Sequence, residues 1–443
     1  MVVGLGRSGL GAARLLMARG AQVIANDWAG REKASPGALA LEAEGAEMAF
    51  GGHPPEIFER SDLVVISPGV PSFAALEAFE RRGGEVIGEM ELASRFVKAP
   101  IALIGGTNGK STTTALTAAI LAAAGKKTFV GGNFGTPLAE AVDEEWDVIV
   151  LEISSFQAER VPTLHAKVHA LLNITDDHLD RYAGFQAYAD AKGNPFVVMT
   201  ESDAAVIPYG DELCARQAAR GKAKVVTFSA TDGAATVRPF AGNIVHRDAF
   251  HLFTLDALPI RGQHNVANAC AALAIAAEFG LPFDDSPDNW LERAVRSFEG
   301  LGHRNVLVRE LDGVRYYDDS KGTNVGAAVA ALTGLSEERA VLIAGGRDKL
   351  GDYQPLVDAL REKGRALVVL GEAAERIESA ARGTLPIRFA TTMAQAVEIA
   401  RELAQSGDAV LLSPACSSFD MFRDYKERGD VFARAVRELE GPT

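Results

Sequence analysis

The sequence predicts an α/β protein with three domains in series, from its length and from two recurring patterns. At 443 residues the chain is long enough for about three domains of ordinary size. Short apolar runs alternate with helix-like stretches in the first and last parts of the chain, which is typical of parallel strands covered by helices. Glycine-rich loops follow two strand-like runs, at residues 4–9 and 105–112, where α/β proteins bind nucleotides.

The first and third blocks of the chain carry the alternating pattern. In the first block the strand-like runs are residues 21–27, 62–66 and 85–87. This block ends near Pro100, because proline disfavours helix in the residue before it. The third block starts at about Phe298, and its strand-like runs are residues 314–317, 340–344, 366–370 and 409–412.

The predicted secondary structure of the second block changes in its later half. It opens with a strand at 101–104, a helix at 112–124 and a strand at 147–151. Residues 225–258 then look more like β hairpins than βαβ units, and an alanine-rich helix at 265–279 closes the block.

Charge and composition exclude several classes of protein. Acidic residues outnumber basic ones by 59 to 45, so the formal net charge is −14, which opposes nonspecific binding to nucleic acid or anionic membranes. The strongest apolar run, at 115–125, is far shorter than the ~20 residues that span a bilayer. The chain begins directly with a glycine motif, which leaves no room for a signal peptide. We therefore predict a cytoplasmic protein with no nucleic-acid partner and no membrane insertion.

Cysteine usage agrees with that prediction. The three cysteines are too few and too scattered for a disulfide scaffold or a zinc site: Cys214, Cys270 and Cys416.

The loop at 105–112 has the composition of a phosphate cradle between a strand and a helix. Its glycines let backbone N–H groups approach phosphate oxygens, and the helix N-terminus adds a favourable potential. Lys110 would contact the outer phosphates, and the Ser111 hydroxyl would ligate Mg²⁺. The spacing departs from the usual G-x-x-x-x-G-K-[ST], because Ile104 stands at the first glycine position. The alternative is a glycine turn without a ligand.

Glu152 and His178 are two further candidate metal ligands. Glu152 follows the apolar run 148–151, so its carboxylate should emerge at the strand end where open α/β sheets bind ligands. The alternative is an exposed glutamate at a strand end. Residues 173–182 place acidic side chains around His178 after another apolar run. This segment could hold a metal, or it could be an ordinary polar surface.

The opening Gly4-x-Gly6-x-x-Gly9, with Asp27 about twenty residues on, matches the dinucleotide fingerprint. It would cradle a nucleotide diphosphate, whereas the alternative is that the glycines serve packing only. Only three residues precede the motif, so the first strand looks clipped.

Taken together, these motifs resemble the Mur ligase family. The stretches that carry the resemblance are residues 106–112, 151–157, 173–182, 262–268 and 298–304. Two more, residues 318–326 and 412–422, resemble the branch that adds D-glutamate; sister ligases have Asp-Tyr-Ala-His-type sequences at the first of these, which this chain lacks. The resemblance runs from residue 4 to about residue 434.

The chain departs from the family pattern in two places. The family usually has more residues before its first glycine motif, so the N-terminal sheet is expected to be less stable. Val306 stands where an acidic or amide side chain is common.

The resemblance implies three α/β domains with separate ligands. A Rossmann-like N-terminal domain (1–97) would bind a UDP substrate, a P-loop-type central domain (98–297) ATP, and a Rossmann-like C-terminal domain (298–443) the amino acid. The implied reaction joins the carboxylate of UDP-N-acetylmuramoyl-L-alanine to the amine of D-glutamate. ATP activates that carboxylate as an acyl phosphate, in a cytoplasmic step of peptidoglycan precursor synthesis. Because ligands bind on three domains, closure of the domains is expected to assemble the site, and the chain is expected to act as a monomer.

The resemblance also implies the residues that bind ATP and two Mg²⁺ ions, among which Lys110, His178 and Lys192 are the expected catalytic residues. ATP would be bound by Gly106, Thr107, Asn108, Gly109, Lys110, Ser111, Thr112, Asn268, Arg304 and Asp319. The metal ligands would be Ser111, Glu152, His178 and Lys192.

Lys192 matches a lysine that is carbamylated in this family. A free ammonium beside Mg²⁺ would repel the ion, whereas a carbamate supplies an anionic oxygen. The alternative is an ordinary surface lysine near a helix end.

The substrate contacts fall into three groups. The UDP moiety would be bound by Gly4, Leu5, Gly6, Arg7, Ser8, Asp27, Ser67, Pro68 and Gly69. The muramoyl moiety would contact Asn133, Ser154 and Ser155. D-Glutamate would be bound by Lys321, Thr323, Lys349, Ser418, Phe419 and Tyr425. For three of these there is an alternative, since Ser418 and Thr323 could cap helices and Tyr425 could be a core residue.

Three other functions are alternatives to this one. Folylpolyglutamate synthetase shares the phosphate loop, but the N-terminal block and the Ser-Lys-Gly-Thr-Asn motif at 320–324 disfavour it. A nicotinamide dehydrogenase would leave the loop at 105–112 without a role. A nucleotide-binding regulator would bind ATP without turning it over.

Overall fold

The computed structural model describes residues 1–179, 181–231, 233–247, 250–260, 262–281 and 289–440. Within these ranges the chain forms three sheets, and each sheet comes from one of the three blocks of the sequence. The boundaries at residues 97 and 297 stay predictions.

The N-terminal sheet has five parallel strands in the order β3-β2-β1-β4-β5, as the described residues show it. Its strands are β1 Val2–Val3, β2 Ile24–Asp27, β3 Glu47–Phe50, β4 Leu63–Ile66 and β5 Glu85–Gly88. Its helices are α1 Arg7–Ala18, α2 Pro36–Ala43, α3 Pro55–Glu59, α4 Ala74–Arg81 and α5 Glu89–Ser94, with a 3₁₀ turn at Arg31–Lys33. Strand β1 has two residues, yet it pairs with both neighbours, and the Met1 ammonium donates a hydrogen bond to the Leu63 carbonyl at 2.8 Å.

The central sheet contains nine strands among the described residues, in the order β14-β13-β12-β11-β10-β9-β6-β8-β7. The strands are β6 Ile101–Gly105, β7 Thr128–Gly132, β8 Val148–Glu152, β9 Val168–Leu171, β10 Ala204–Pro208, β11 Lys224–Phe228, β12 Val237–Phe240, β13 Asn243–His246 and β14 Phe250–Thr254. Strands β12, β13 and β14 pair antiparallel, so the predicted hairpin region is confirmed. The other neighbours pair parallel.

Helices cover both faces of the parallel part of this sheet. They are α6 Lys110–Ala123, α7 Ser155–Ala158, α8 Phe185–Gly193, α9 Glu212–Ala218, α10 Gln263–Ala277 and α11 Trp290–Arg296, with 3₁₀ turns at Leu138–Glu140, Asn194–Val198 and Leu255–Ala257. Helix α10 packs against α6, and its alanines are buried at this contact. Small side chains there allow the two helices to approach closely, which places the start of α10 beside the loop before α6.

The C-terminal sheet has six strands in the described part of the chain, in the order β15-β16-β20-β17-β18-β19. Its strands are β15 Val306–Leu311, β16 Val314–Asp318, β17 Ala340–Gly345, β18 Gly364–Leu370, β19 Ile387–Phe389 and β20 Ala409–Leu412. The helices are α12 Val325–Thr333, α13 Gln354–Lys363, α14 Ala374–Ala381, α15 Met393–Leu403 and α16 Tyr425–Glu438. Only the β15–β16 pair is antiparallel among these strands.

One hydrophobic cluster joins the N-terminal sheet to the central one. It contains Val65 and Met90 from the first sheet and its helices, together with Phe129, Ile149 and Leu151 from the second. Buried apolar area of this kind is the main source of attraction between packed elements, so these two parts are held together by a shared core. Among the described residues, every helix is too short or too polar to cross a bilayer.

Candidate active site

A cavity of about 520 Å³ opens at the carboxyl ends of β6, β8 and β9, where the central and C-terminal sheets face each other. Most of the site residues expected from the sequence line it. These are Thr107, Asn108, Gly109, Lys110, Ser111, Thr112, Asn133, Glu152, Ser154, Ser155, His178, Lys192, Asn268, Arg304, Asp319, Lys321, Thr323, Lys349, Ser418, Phe419 and Tyr425.

The loop before α6 is shaped to receive an anion. Gly109 has a φ of +85°, and a Cβ there would lie 2.2 Å from Asn268 Oδ1, so only glycine fits beside α10. The side chain of Asn173 fixes the loop, because its Oδ1 accepts the N–H groups of Thr107 and Asn108 at 3.2 and 2.8 Å. No side chain caps the start of α6, whose first residues line the cavity, so its first N–H groups are available to an anion.

Two lysine side chains donate to backbone carbonyls of this loop, and of the two Lys192 is the buried residue. Lys110 Nζ donates to the Thr107 carbonyl at 2.8 Å, and Lys192 Nζ donates to the Gly106 carbonyl at 2.7 Å. Burial lowers the pKa of both amines, and the nearby Lys110 charge pushes the pKa of Lys192 further down. Lys192 is 5% exposed, so the alternative of a surface lysine is wrong.

The structure tests whether the predicted metal ligands fit a cation. Glu152 is buried; its Oε1 accepts Asn133 Nδ2 at 2.6 Å, while Oε2 is buried without a hydrogen-bond partner within the described residues. A buried carboxylate oxygen left in this way is costly unless a cation or donor reaches it. Glu152 and Ser111 both line the cavity, and oxygen donors suit Mg²⁺, so these residues fit the ion. The alternative of an exposed strand-end glutamate is wrong.

His178 lies at the cavity wall, on a residue with a left-handed φ of 55°. Its ring meets the Phe156 ring edge-on at 4.8 Å. The neighbouring Asp177 was not singled out by the sequence, yet it is the residue that ties this segment to the C-terminal part. Burial acts to raise the pKa of Asp177, but the charges of Lys349 and His178 outweigh it and hold that pKa below its usual value.

Three side chains of the C-terminal domain form four hydrogen bonds with the phosphate loop and with Asp177. Arg304 Nη2 donates to Ser111 Oγ at 2.8 Å, and Lys349 Nζ donates to Asp177 Oδ1 at 2.9 Å. Asn324 Nδ2 donates to both Asn108 Oδ1 and Asp177 Oδ2, at 3.0 and 3.2 Å. The cavity is therefore closed over by side chains from two domains.

Two ionisable groups on the C-terminal side have strongly shifted pKa values. Burial lowers the pKa of Lys321 to about 8, and its ammonium lies over the Tyr425 ring at 4.0 Å. Burial also raises the pKa of Asp319 to about 7, although Ser413 Oγ donates to its Oδ2 at 2.6 Å. Perturbed groups that converge on one cavity are typical of functional sites.

The alternatives considered for Thr323 and Ser418 are wrong. The side chains of Asn324 and Asp424 cap helices α12 and α16. A cap is instead found where a substrate contact was predicted: the Ser154 hydroxyl accepts the Gln157 N–H at 3.2 Å and starts α7 in a capping box. Tyr425, the possible core residue, lines the cavity.

The first glycine loop lies outside this cavity. Asp27 accepts the Leu5 N–H at 2.8 Å and the Ala29 N–H at 2.9 Å, and Ser67 Oγ donates to the Gly4 carbonyl at 2.7 Å. Gly6, Ser8 and Gly69 lie on the same edge of the N-terminal sheet, just after β1 and β4. Ser67 and Pro68 line a second cavity of about 260 Å³ between the N-terminal and central sheets. Arg7 reaches across to the central sheet and donates to the Gly135 carbonyl at 2.6 Å.

Several site residues were missed by the sequence analysis. Asn173 and Asp177 lie within a motif that was quoted, but their spacing along the chain gives no sign of what they contact. Asn324 and His264 also line the cavity; both lie in quoted motifs, but neither was assigned a role.

The sequence matches three known domain families. Residues 1–88 match a family model described as the N-terminal domain of MurD-like Mur ligases. Residues 104–276 match the Mur ligase middle domain, and residues 303–416 match the Mur ligase glutamate ligase domain. The chain belongs to the Mur ligase family. The predicted three-domain α/β fold of this Mur ligase is thereby confirmed.

Curated relatives of this Mur ligase match along its whole length. One from Syntrophotalea carbinolica is 44% identical, covering 100% of this chain and 98% of its own. One from Geotalea daltonii is 45% identical, covering 100% of this chain and 97% of its own. Both are named UDP-N-acetylmuramoylalanine–D-glutamate ligase.

Solved structures agree in fold. A pseudomurein peptide ligase type C from Methanothermus fervidus is 18% identical and superposes with a TM-score of 0.62 over 99% of both chains. The UDP-N-acetylmuramate–alanine ligase of Thermotoga maritima, also 18% identical, gives 0.61 over 99% of both chains. A folylpolyglutamate synthase from Mycobacterium tuberculosis gives 0.59 but covers 79% of this Mur ligase and 92% of its own chain.

Proposed function

We propose that this Mur ligase adds D-glutamate to UDP-N-acetylmuramoyl-L-alanine with the conversion of ATP to ADP and phosphate. The observation that carries the proposal is full-length identity of 44–45% to relatives named for that reaction. The cavity supports it, because it combines an anion-binding loop with a group of cationic side chains.

The chemistry requires two steps, the first at the γ-phosphorus of ATP and the second at the carbon of the activated carboxyl group. In the first, an oxygen of the substrate carboxylate attacks the γ-phosphorus of ATP, which gives an acyl phosphate and releases ADP. In the second, the amine of D-glutamate attacks the acyl carbon, phosphate leaves, and the amine loses a proton. Both steps move negative charge between oxygens, and such transfers depend on positioning and charge neutralisation.

The phosphate loop and the C-terminal cations would do this positioning. Lys110 and the first N–H groups of α6 would bind the β- and γ-phosphates. Arg304 donates a hydrogen bond to the Ser111 hydroxyl and would lie beside these phosphates. Asn268 would approach the adenine, and Asp319 the ribose. Contact between domains excludes water from the acyl phosphate, which hydrolyses readily.

The metal ions would be held by oxygen and nitrogen donors already in the cavity. Ser111 and Glu152 would hold one Mg²⁺, and His178 with a modified Lys192 would hold a second. Bound Mg²⁺ would neutralise charge on the transferred phosphoryl group.

The surroundings of Lys192 support its proposed carbamylation. Burial lowers the pKa of the Lys192 amine, which favours the neutral form whose lone pair can attack carbon dioxide. The nitrogen gains a bond to carbon and loses a proton, which leaves an anionic carbamate. Lys110 lies close enough to influence the Lys192 charge, so it would stabilise that anion.

D-Glutamate has two carboxylates, and the C-terminal side offers two ammonium groups for them. Lys321 and Lys349 line the cavity with Thr323, Ser418 and Phe419. Asn133, Ser154 and Ser155 would face the muramoyl portion, and the loop at 4–8 with Ser67 to Gly69 would bind the UDP. The enzyme would work in the cytoplasm as a monomer on small-molecule substrates.

The proposal is tested by phosphate release from ATP in the presence of UDP-N-acetylmuramoyl-L-alanine. D-Glutamate, L-glutamate, L-alanine and meso-diaminopimelate are added separately. We expect release with D-glutamate alone. Release with another amino acid would reassign the substrate within the family, and binding of ATP without release would favour a noncatalytic role.

A further inference from the structure

Trp28 is the most exposed large apolar side chain among the described residues, with 73% of its surface accessible. It follows Asp27, the last residue of β2, so it stands at the carboxyl end of the N-terminal sheet. Indole is rarely left this open unless it serves a contact, because it carries a large apolar area.

A column of rings supports the indole from behind. The centroids of Trp28 and His53 are 5.5 Å apart, and His53 stacks on Phe73 at 4.1 Å with planes inclined by 15°. Phe73 in turn meets buried Phe58 edge-on at 5.6 Å. Asn26 fixes the imidazole, because its Oδ1 lies 2.6 Å from His53 Nδ1. The exposed ring therefore rests on a base that is anchored in the core.

The position of Trp28 in the N-terminal sheet relates it to the glycine loop at residues 4–9. Strand order in the N-terminal sheet reverses between β1 and β4, and ligands of such sheets bind at the carboxyl edge beside that point. A nucleotide whose diphosphate lies at the start of α1 extends its ribose and base across the end of β2. Asp27 stands there, but its two oxygens already accept the N–H groups of Leu5 and Ala29. Trp28 is the next side chain along that line.

We propose that the Trp28 indole is the stacking surface for the uracil ring of the UDP substrate, an inference that rests on the proposed function. Uracil is flat and uncharged, so it needs a planar apolar partner rather than a counter-ion. Stacking of a base on an aromatic side chain changes affinity by about tenfold or more, and the exchange of indole for a non-planar side chain removes that gain.

The test is calorimetric titration of the full-length chain with UDP. Trp28→Phe keeps a planar ring, whereas Trp28→Leu keeps apolar area without one. Phe389→Leu is the matched control, because Phe389 is 51% exposed on the C-terminal sheet. We expect Trp28→Leu to bind UDP about tenfold more weakly, with Trp28→Phe and Phe389→Leu close to wild type. KM for UDP-N-acetylmuramoyl-L-alanine should rise in parallel, while KM for ATP and for D-glutamate stays constant.

Two other outcomes would overturn the inference in different ways. If wild type and Trp28→Leu bind UDP equally, uracil does not stack on the indole and the proposed function is untouched. If wild type binds no UDP while it still hydrolyses ATP with an amino acid, both the stacking role and the UDP substrate are wrong.

Discussion

The two glycine loops of this enzyme share a local shape but not their surroundings. Each lies between a strand and a helix whose first turn lacks a side-chain cap. The first loop, at residues 4–9, is bonded within its own domain by Asp27 and Ser67, and its cation Arg7 is exposed. In the second loop, at 105–112, Lys110 and the buried Lys192 donate to backbone carbonyls, and Arg304 from another domain donates to the Ser111 hydroxyl. This difference supports the proposal that the first loop holds a phosphate group and that the second takes part in transferring one.

Burial explains why the second loop can do chemistry. Desolvation lowers the pKa of Lys110 and Lys192, so the Lys110 ammonium is stabilised only when anionic groups are close, and the Lys192 amine loses its proton more readily. A phosphate or a carbamate supplies such a charge in a site where water cannot screen it.

The largest effect should come from Lys192→Ala, which removes the amine that would be carbamylated. We expect kcat to fall on the order of 10⁴-fold, because phosphoryl transfer loses an anionic ligand and a fixed part of its charge pattern. Intact-protein mass before and after acidification should show the added carbon dioxide in wild type only. Exposed Lys33 provides the control substitution, Lys33→Ala. Wild-type turnover by Lys192→Ala would rule out the role.

Gly109→Ala should break the second loop, whereas Gly6→Ala should leave the first intact. At Gly109 the new Cβ would meet Asn268 Oδ1 at 2.2 Å, on a backbone with φ +85°. Overpacking and left-handed strain together cost about 4 kcal/mol, close to a thousandfold loss of ATP affinity. At Gly6 no heavy atom lies within 4 Å of the added Cβ. The test is to measure KM for ATP and the melting temperature of both variants. If Gly109→Ala and Gly6→Ala change these values equally, the two loops do not differ as described.

Sequence reasoning located the second loop because its residues are contiguous, so spacing alone fixes which atoms face a phosphate. It missed Asp177 and Asn324, since their partners are chosen by domain packing rather than by neighbours in the chain. Lys349 and Asp177 are 172 positions apart. Five strands were not singled out either, because β3, β7, β15 and β19 are short or partly exposed and β10 resembles a buried helix segment: Glu47–Phe50, Thr128–Gly132, Ala204–Pro208, Val306–Leu311 and Ile387–Phe389.

The contact between the N-terminal and central domains contains a buried acid, Glu89, whose titration should affect the stability of the fold. Glu89 begins α5 and accepts the Ala139 N–H of the central domain at 2.7 Å. Burial raises its pKa from 4.5 to about 7, so the folded chain keeps this proton at pH values where the unfolded chain loses it. Stability should therefore fall as pH rises from about 4.5 to about 7, by up to about 3 kcal/mol.

Glu89→Gln tests this, because the amide cannot ionise and its oxygen still accepts the Ala139 N–H. We expect the variant to melt above wild type at pH 8 and to match it near pH 4. Exposed Glu56→Gln should melt like wild type at both pH values. A constant difference for Glu89→Gln across pH would show that its proton is not involved.

Asp27→Asn should have the smallest effect of these substitutions. It distinguishes a carboxylate that only fixes the first loop from one that also contacts the ribose. The amide oxygen can retain the bond from Leu5 or from Ala29 but not both, so about 1 kcal/mol is lost, or about a fivefold rise in KM for the UDP substrate. The same exchange at Asp177 leaves the Lys349 ammonium without its carboxylate, which is far more costly in a buried pair. A large loss at Asp27 instead would mean that its carboxylate contacts the ribose directly, and then the first loop would depend on charge as the second does.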